Sequence, residues 1–426
     1  MKIIFWNKLN DKQKTKLLKR PAIIKKKDIK LVIQKILKDV KKYGDKSIKK
    51  YTKKFDKINL KHIEIVKKTE KLDEKICRAI DTAYRNIRSF HEQQGYQEYL
   101  IETMSGVKCQ RIVLPLESVG LYVPGGTAPL ISTTLMLAIP AQIAKCPNIY
   151  ICTPCDKTGN INPYIIYAAS LCKVNRIFKI GGAQAIAAMA YGTETVPKCD
   201  KIFGPGNAYV TEAKIQVSQK MMDTEIDLPA GPSEICIVAN ETSDPEFVAA
   251  DILSQAEHDL NSQVILISTS KKIIIEIKRE IDKKLNKLPR KKIIQTVLRN
   301  SLAFVSQNLF EAIEIANKYA PEHLTLCVEN AKGYKKHLQN AGSIFLGQWS
   351  PEAVGDYASG TNHVLPTYGY AKNFSGLNVE AFQKTMSIQT ISKRGLKTIA
   401  NTVETLAKLE QLDAHALSVS VRNRKI

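Results

Sequence analysis

The sequence predicts an α/β protein: two Rossmann-like, incomplete parallel-sheet domains with a small N-terminal arm and a helical C-terminal tail. Three observations carry that prediction. At 426 residues the chain exceeds one compact core, since a domain takes roughly 150 residues. From Tyr122 onward, short β-like runs alternate with helical stretches, an order that implies parallel strands joined by crossover helices. After Ser233 a second series of the same kind begins.

Taken in order, the first twenty or so residues are polar, end in "KRPAI", and read as an arm or short helix outside the main cores. From Lys27 to about Gln93 the pattern is helical, and "GVKCQRIVLPLESVGLYVPGG" then switches to short runs bounded by Gly and Pro. In the first series "APLISTTLMLAIPAQIAKC", "NPYIIYAASLCK", "AQAIAAMAYG" and "NAYVTEAKIQVSQKM" read as helices. "NIYICTP", "RIFKIGG" and "DKIFGPG" are the strands between them. In the second, "EICIVAN", "QVILIST", "LAFVS", "LTLCV" and "GSIFLG" read as strands. The helices between them are "DPEFVAADILSQAEH", one Lys-rich helix, "NLFEAIEIANKYA" and a short one. The tail after Gly376 reads as largely helical and polar, without a core of its own.

The formal charge of +23 raises the question of nucleic acid, because a basic face binds phosphate with release of counterions. The lysines, however, crowd into amphipathic segments such as "KKIIIEIKREIDKKLNKLPRKK", where they occupy the face opposite the apolar residues. That pattern describes a solvated helix surface, and neither nucleic acid nor membrane is expected as a partner. No stretch approaches the roughly 20 apolar residues that span a bilayer, and a cytoplasmic location is expected. The nine cysteines are scattered, as reduced core thiols would be. The close pair Cys152 and Cys155 in "ICTPC" lacks a second pair and reads as structural.

Polar residues fall at two kinds of position. In the first series "GLYVPGGTAP", "IGGAQA" and "FGPGNAY" each follow a strand and open a helix, placing Tyr122, Gln184 and Asn207 along one edge. Free N–H groups at such edges suit a nucleotide or phosphate. In the second series Ser233 precedes a strand, Gln255 and His258 end a helix, and Glu322 and His323 separate a helix from a strand. All of these lie at the amino ends of strands. Gln255 and His258 share a helix face and offer an amide oxygen and an imidazole nitrogen to a divalent ion, but a further carboxylate and histidine are needed. Of the seven histidines, His62, His91 and His337 read as ordinary surface residues. His363 shares a Gly- and Asn-rich stretch with Asp356, and His415 lies in the tail behind Glu410. The strand before Asp356 should end on the face opposite Glu322. Either the loop doubles back or Asp356 serves another edge.

With these segments assembled, the sequence resembles the histidinol dehydrogenase family of zinc-dependent enzymes of histidine biosynthesis. "VGLYVPGGTAPL", "GGAQAIAAMAYGTE", "DKIFGPGNAYVTEAK", "DLPAGPSE", "DILSQAEH", "YAPEHL" and "GSIFLGQWSPEAVGDYASGTNHVLPT" carry the resemblance, with the late Glu410 and His415. The resemblance implies one Zn²⁺ per subunit on Gln255, His258, Asp356 and His415. It implies L-histidinol held by Ser233, His363 and Glu410, with Gln255, His258, His323, Asp356 and His415 also against the substrate. NAD would lie against Tyr122, Gln184 and Asn207. Two successive NAD-linked oxidations would take L-histidinol through L-histidinal to L-histidine, the last step of that biosynthesis. His323 would be the general base and Glu322 the activator of water. The family implies a domain-exchanged homodimer in which residues 378–426 complete the partner's site. Residues 23–121 and 234–377 would form the zinc domain, 122–233 the NAD domain, and 1–22 the arm. Two rivals are a zinc hydrolase, which leaves the three amide-rich turns without a role, and a basic nucleic-acid binder built on an enzyme fold.

Overall fold

The computed structural model describes residues 1–20, 26–65, 72–125, 129–220, 224–227 and 231–426. Residues 126–128 of the first glycine turn and 228–230 of "DLPAGPSE" therefore lie outside the described residues, as does part of "KRPAI". The chain opens with β1 (Lys2–Phe5), α1 (Asp11–Leu17), α2 (Lys26–Phe55), α3 (Glu74–His91), β2 (Tyr99–Met104) and β3 (Val107–Pro115). The first alternating series comprises β4 (Ser118–Tyr122), α4 (Ile131–Ile143), β5 (Asn148–Cys152), α5 (Pro163–Leu171), β6 (Arg176–Phe178), α6 (Gly182–Tyr191), β7 (Lys201–Phe203), α7 (Ala208–Lys220) and β8 (Glu225–Ile226). The second comprises β9 (Glu234–Ala239), α8 (Pro245–Ala256), β10 (Gln263–Ser268), α9 (Lys271–Leu285), α10 (Lys291–Asn300), β11 (Leu302–Val305), α11 (Leu309–Tyr319), β12 (His323–Cys327), β13 (Ser343–Leu346) and α12 (Glu352–Tyr357). The tail is β14 (Gln383–Ile391), α13 (Lys393–Leu409) and α14 (Asp413–Asn423).

Both series build parallel sheets, of order β6-β5-β4-β7-β8 and β1-β11-β10-β9-β12-β13. Strand β9 shows why. All six of its residues are buried; Ile235, Ile237 and Ala239 face the core under α8, α9 and α10, while Cys236 and Val238 face the one under α11. A strand covered on both faces reads as a continuous apolar run, and each buried aliphatic side chain contributes about 1.5–3 kcal/mol. In each sheet the alternating series starts centrally and later crosses to the other side, so β4 and β7, and β9 and β12, flank switch points.

Several expectations are corrected. The N-terminus is no detached arm: β1 pairs in parallel with β11 as an edge strand, and Trp6 is buried against Phe304. Helices α2 and α3 do not join the second series as the assignment of 23–121 required. Ile33, Ile36 and Leu37 pack under the five-stranded sheet with α6 and α7, and Ile80, Ala83 and Ile87 pack on its other face with α4 and α5. A parallel sheet needs apolar cover on both faces, and these two helices supply it. The Lys-rich helix is two helices, α9 and α10, with Pro289 in the link. The tail is not helical throughout, because β14 runs antiparallel along all of β3 in a sheet of order β14-β3-β2. His91 is fully buried rather than at the surface. All nine cysteines are free, Cys152 buried and Cys155 partly so. Among the described residues, no helix is long and apolar enough to cross a membrane.

Candidate active site

The carboxyl edge of the five-stranded sheet faces the amino edge of the six-stranded one, and a cavity of about 1670 Å³ lies between them. Asn207 and Thr133 line it from one side, and Ser233, His258, Glu322 and His323 from the other. Asp356 and His363 complete the same wall.

The junction "YAPEHL" puts Glu322 and His323 there by local rules. Helix α11 ends at Tyr319, and Ala320 takes a left-handed conformation with φ 51°. Pro321 then bars a further helical turn, so Glu322 emerges directly at the start of β12. Next to it, a Cβ on Gly342 would sit 2.7 Å from the Glu322 carbonyl oxygen, which only glycine tolerates. The Glu234 backbone N–H donates to Glu322 Oε2 at 2.8 Å. His323 Nδ1 lies 3.3 Å from the Glu234 carbonyl oxygen and 3.3 Å from Glu352 Oε1, while Nε2 lies 3.4 Å from Asp356 Oδ1.

Asp356 arrives because the chain doubles back. At the carboxyl end of the sheet the Gly347 N–H donates to the Leu326 carbonyl, and the Asp244 N–H at the start of α8 donates to Gln348 Oε1 at 2.7 Å. The chain then runs alongside α8: Ser254 Oγ lies 3.5 Å from Glu352 Oε2, and Asp356 reaches the amino edge one helical turn later. The strand ends on the far face as the sequence requires, and α12 carries the carboxylate home.

At the end of α8, Gln255 is fully buried and neither atom of its amide has a hydrogen-bond partner. Orphaned buried amide atoms carry a desolvation cost of about 1–3 kcal/mol, so a site that leaves them free fits a ligand. Burial pushes His258 below its ordinary pKa, with the His323 ring adding to the fall and Asp356 opposing it. His363 is pushed down by burial as well. Its Nδ1–H donates to the Asp356 carbonyl oxygen at 2.8 Å, which leaves Nε2 to accept from Thr133 Oγ1 at 3.2 Å. Neutral imidazoles, an unpaired amide and a carboxylate are the donors a zinc ion takes. Among the described residues, the His, Cys, Asp and Glu side chains close enough to share an ion are His323, Glu352 and Asp356, with ligand atoms within 4.8 Å of one another.

The pair itself is electrostatically loaded. Burial raises Glu322 to about 8 against the pull of the His323 ring. Burial works against a charged His323, yet Glu352, Glu322 and Asp356 outweigh it and raise the ring to about 10. Burial works against a charged Asp356 too, but the facing His323 ring outweighs it and holds the carboxyl below its ordinary value.

On the other wall, Asn207 Oδ1 accepts the N–H groups of Tyr209 and Val210 and so caps α7. A buried Lys214–Asp227 pair pins the turn before it, Lys214 through the Gly204 carbonyl and Asp227 through the Gly204 N–H. Tyr122 and Gln184 stand behind that wall, buried; the Gly182 N–H donates to the Tyr122 hydroxyl at 2.9 Å. Glu410 and His415 are not brought to the site by this chain, because both lie exposed in the tail. Three residues that touch the pair or its support are absent from the sequence-based set: Arg20, Glu234 and Glu352. For Glu352 the signal was its spacing, four residues before Asp356 on one short helix.

The family model described as histidinol dehydrogenase matches residues 19–423. The histidinol dehydrogenase of Mannheimia succiniciproducens is 48% identical over 431 residues, covering 100% of both chains. That of Escherichia coli is 47% identical, covering 99% of this chain and 97% of its own. The crystal structure of histidinol dehydrogenase from Elizabethkingia anophelis superposes with a TM-score of 0.94 at 44% identity, covering 100% of this chain and 98% of that one. With a full-length family match and a shared fold, the chain belongs to the histidinol dehydrogenase family.

Proposed function

We propose that this chain is a cytoplasmic, homodimeric enzyme that oxidises L-histidinol to L-histidine in two successive steps, each passing a hydride to NAD. The observation that carries this reading is the buried Glu322–His323 pair at the cavity between the sheets, with Asp356 and the unpaired Gln255 beside it.

In the first step His323 Nε2 takes the hydroxyl proton of histidinol as the carbinol hydride leaves for NAD, giving the aldehyde. In the second, Glu322 takes a proton from water as it adds to the aldehyde, and the protonated His323 ring returns its proton to the aldehyde oxygen, which makes the ring neutral again and gives the hydrate. His323 then removes a hydroxyl proton from that hydrate while the second hydride leaves to NAD, giving the carboxylic acid, which ionises to the carboxylate. The surroundings of Glu322 support its part of that division. Glu322 is an acid whose pKa burial brings close to neutrality, as a general base requires. His323 is held protonated by three carboxylates, and committing Asp356 to a cation withdraws one of them.

Zinc, held by Gln255, His258 and Asp356 with His415 supplied by a second copy, would act as a template that orients the amine and imidazole of the substrate. Ser233 and His363, with Glu410 of the second copy, would hold the remaining polar groups. NAD would lie against the turn at Asn207, whose backing residues include Tyr122 and Gln184. The apolar face of the tail supports the dimer: Leu406, Leu409, Leu412 and Leu417 are all exposed. Supplying histidinol and NAD tests the reading. Two NADH should form per histidine, and a chelator should abolish both; absence of NADH with metal-loaded enzyme would contradict it.

A further inference from the structure

Helix α12 carries two acids on one face, four residues apart. Both point at His323, one to each ring nitrogen. Glu352 Oε1 is 3.3 Å from Nδ1, and Asp356 Oδ1 is 3.4 Å from Nε2. The two acids differ in what else they meet. Asp356 lines the cavity, and its backbone carbonyl accepts from His363. Glu352 is 2% exposed and does not line the cavity, and Ser254 Oγ meets its other oxygen only at 3.5 Å. Its Oε1 has no hydrogen-bond partner of ordinary geometry, and the His323 Nδ1 is the charged or chargeable nitrogen it faces.

A carboxylate buried in this way is costly unless a donor or a cation faces it. Here the facing group is the Nδ1 side of the imidazole. The Glu234 carbonyl oxygen, which can only accept, stands 3.3 Å from the same nitrogen. Two acceptors at Nδ1 fix the proton there. The ring is then left with Nε2, on the cavity side with Asp356, as the nitrogen that exchanges protons.

We propose that Glu352 is the positioning residue of the His323 base: it holds the ring in the Nδ1–H tautomer and in one orientation, so that Nε2 meets the substrate hydroxyl. This rests on the reading of His323 as the base. A buried carboxylate behind a catalytic imidazole acts in this way in the Ser-His-Asp hydrolases, where the amide isostere admits the wrong tautomer. Glu352→Gln does the same here, since its amide can donate to Nδ1 and drive the proton to Nε2.

The test uses the metal-loaded full-length enzyme with histidinol and NAD. Glu352→Gln should lower kcat by about 100-fold or more, the scale of a misassigned general base, with KM for histidinol and zinc content unchanged. Glu352→Asp, which keeps the acceptor, should recover part of kcat and serves if the Gln variant folds poorly. Imidazole ¹⁵N spectra of histidine-labelled protein supply a readout apart from turnover. The His323 resonance, identified by its absence in His323→Asn, should show the Nδ1-protonated pattern in the parent and Nε2 protonation in Glu352→Gln. Wild-type kcat in Glu352→Gln would overturn the proposal. Loss of zinc from that variant would overturn it too, because Glu352 would then be a ligand. Undiminished turnover in His323→Asn would instead remove the reading on which it rests.

Discussion

The Arg20 guanidinium grips the Glu234 carboxylate through two hydrogen bonds of 2.8 Å, and the backbone N–H of that same Glu234 donates to Glu322. Arg20 also donates to the Ala320 carbonyl and lies 3.8 Å above the Tyr319 ring. The start of the chain is thereby clamped to the residue that supports both Glu322 and His323.

Removing one partner of a buried pair leaves an uncompensated charge, at about 3–5 kcal/mol. Arg20→Met should therefore lower the unfolding free energy by that order in a denaturant titration. Arg20→Met combined with Glu234→Gln should recover part of the loss, which two independent sites would not do.

Crowding at the pair gives a second expectation. A Cβ at residue 342 meets the Glu322 carbonyl oxygen at 2.7 Å, and that atom also accepts the Ser343 N–H. Gly342→Ala should cost about 1–3 kcal/mol, the usual range for overpacking. It should also depress kcat for both oxidations, read by NADH formation from histidinol and from histidinal.

His91 predicts a pH dependence of stability. Burial lowers its pKa, and both nitrogens are committed in the neutral ring: Nδ1–H donates to the Ile87 carbonyl at 2.8 Å, and Nε2 lies 3.2 Å from Asn362 Nδ2. Because the folded value lies below the unfolded one, the unfolded chain binds more proton between the two. Stability from this group is complete above about pH 6.5. It falls as the pH drops toward the folded value. Thermal unfolding from pH 8 to 5 should lose more in the parent than in His91→Gln, and the loop carrying His363 should loosen first.

The tail predicts an effect on assembly. Leu409 is 79% exposed on α13, one turn from the exposed Leu406, and Leu412 is exposed just beyond the helix. In the proposed homodimer, Leu409→Asp should shift the protein toward monomer in sedimentation and reduce turnover with it, because Glu410 and His415 would no longer reach a second copy's site.

Much of this was legible because periodicity and position speak for themselves. The apolar runs of β9 and β10 announced a covered parallel sheet, and a proline between α11 and β12 placed Glu322 and His323 at the amino edge. Other features depend on contacts remote in sequence. The "KIIF" of β1 is too short to declare itself without β11, and "QKTMSIQTI" alternates polar and apolar residues whose partner strand lies far upstream. Helices α2 and α3 were correctly helical, but which sheet an amphipathic helix covers is decided by tertiary packing. Asp356 could not be placed because the return of α12 beside α8 has no local signature. Glu352 stands four residues before Asp356, a spacing that hints at a shared face, but a lone Glu in a short helix reads as solvent-exposed until the ring it faces is known.

The central claim is the division of labour between Glu322 and His323, and the most direct measurement is the product stoichiometry of Glu322→Gln. Metal-loaded variant and parent would each be mixed with histidinol and NAD, and NADH counted against histidinol consumed. The parent should give two NADH per histidinol, whereas the variant should give close to one, with histidinal recoverable by a carbonyl trap. Two NADH per histidinol from Glu322→Gln at the parent's rate would contradict the assignment.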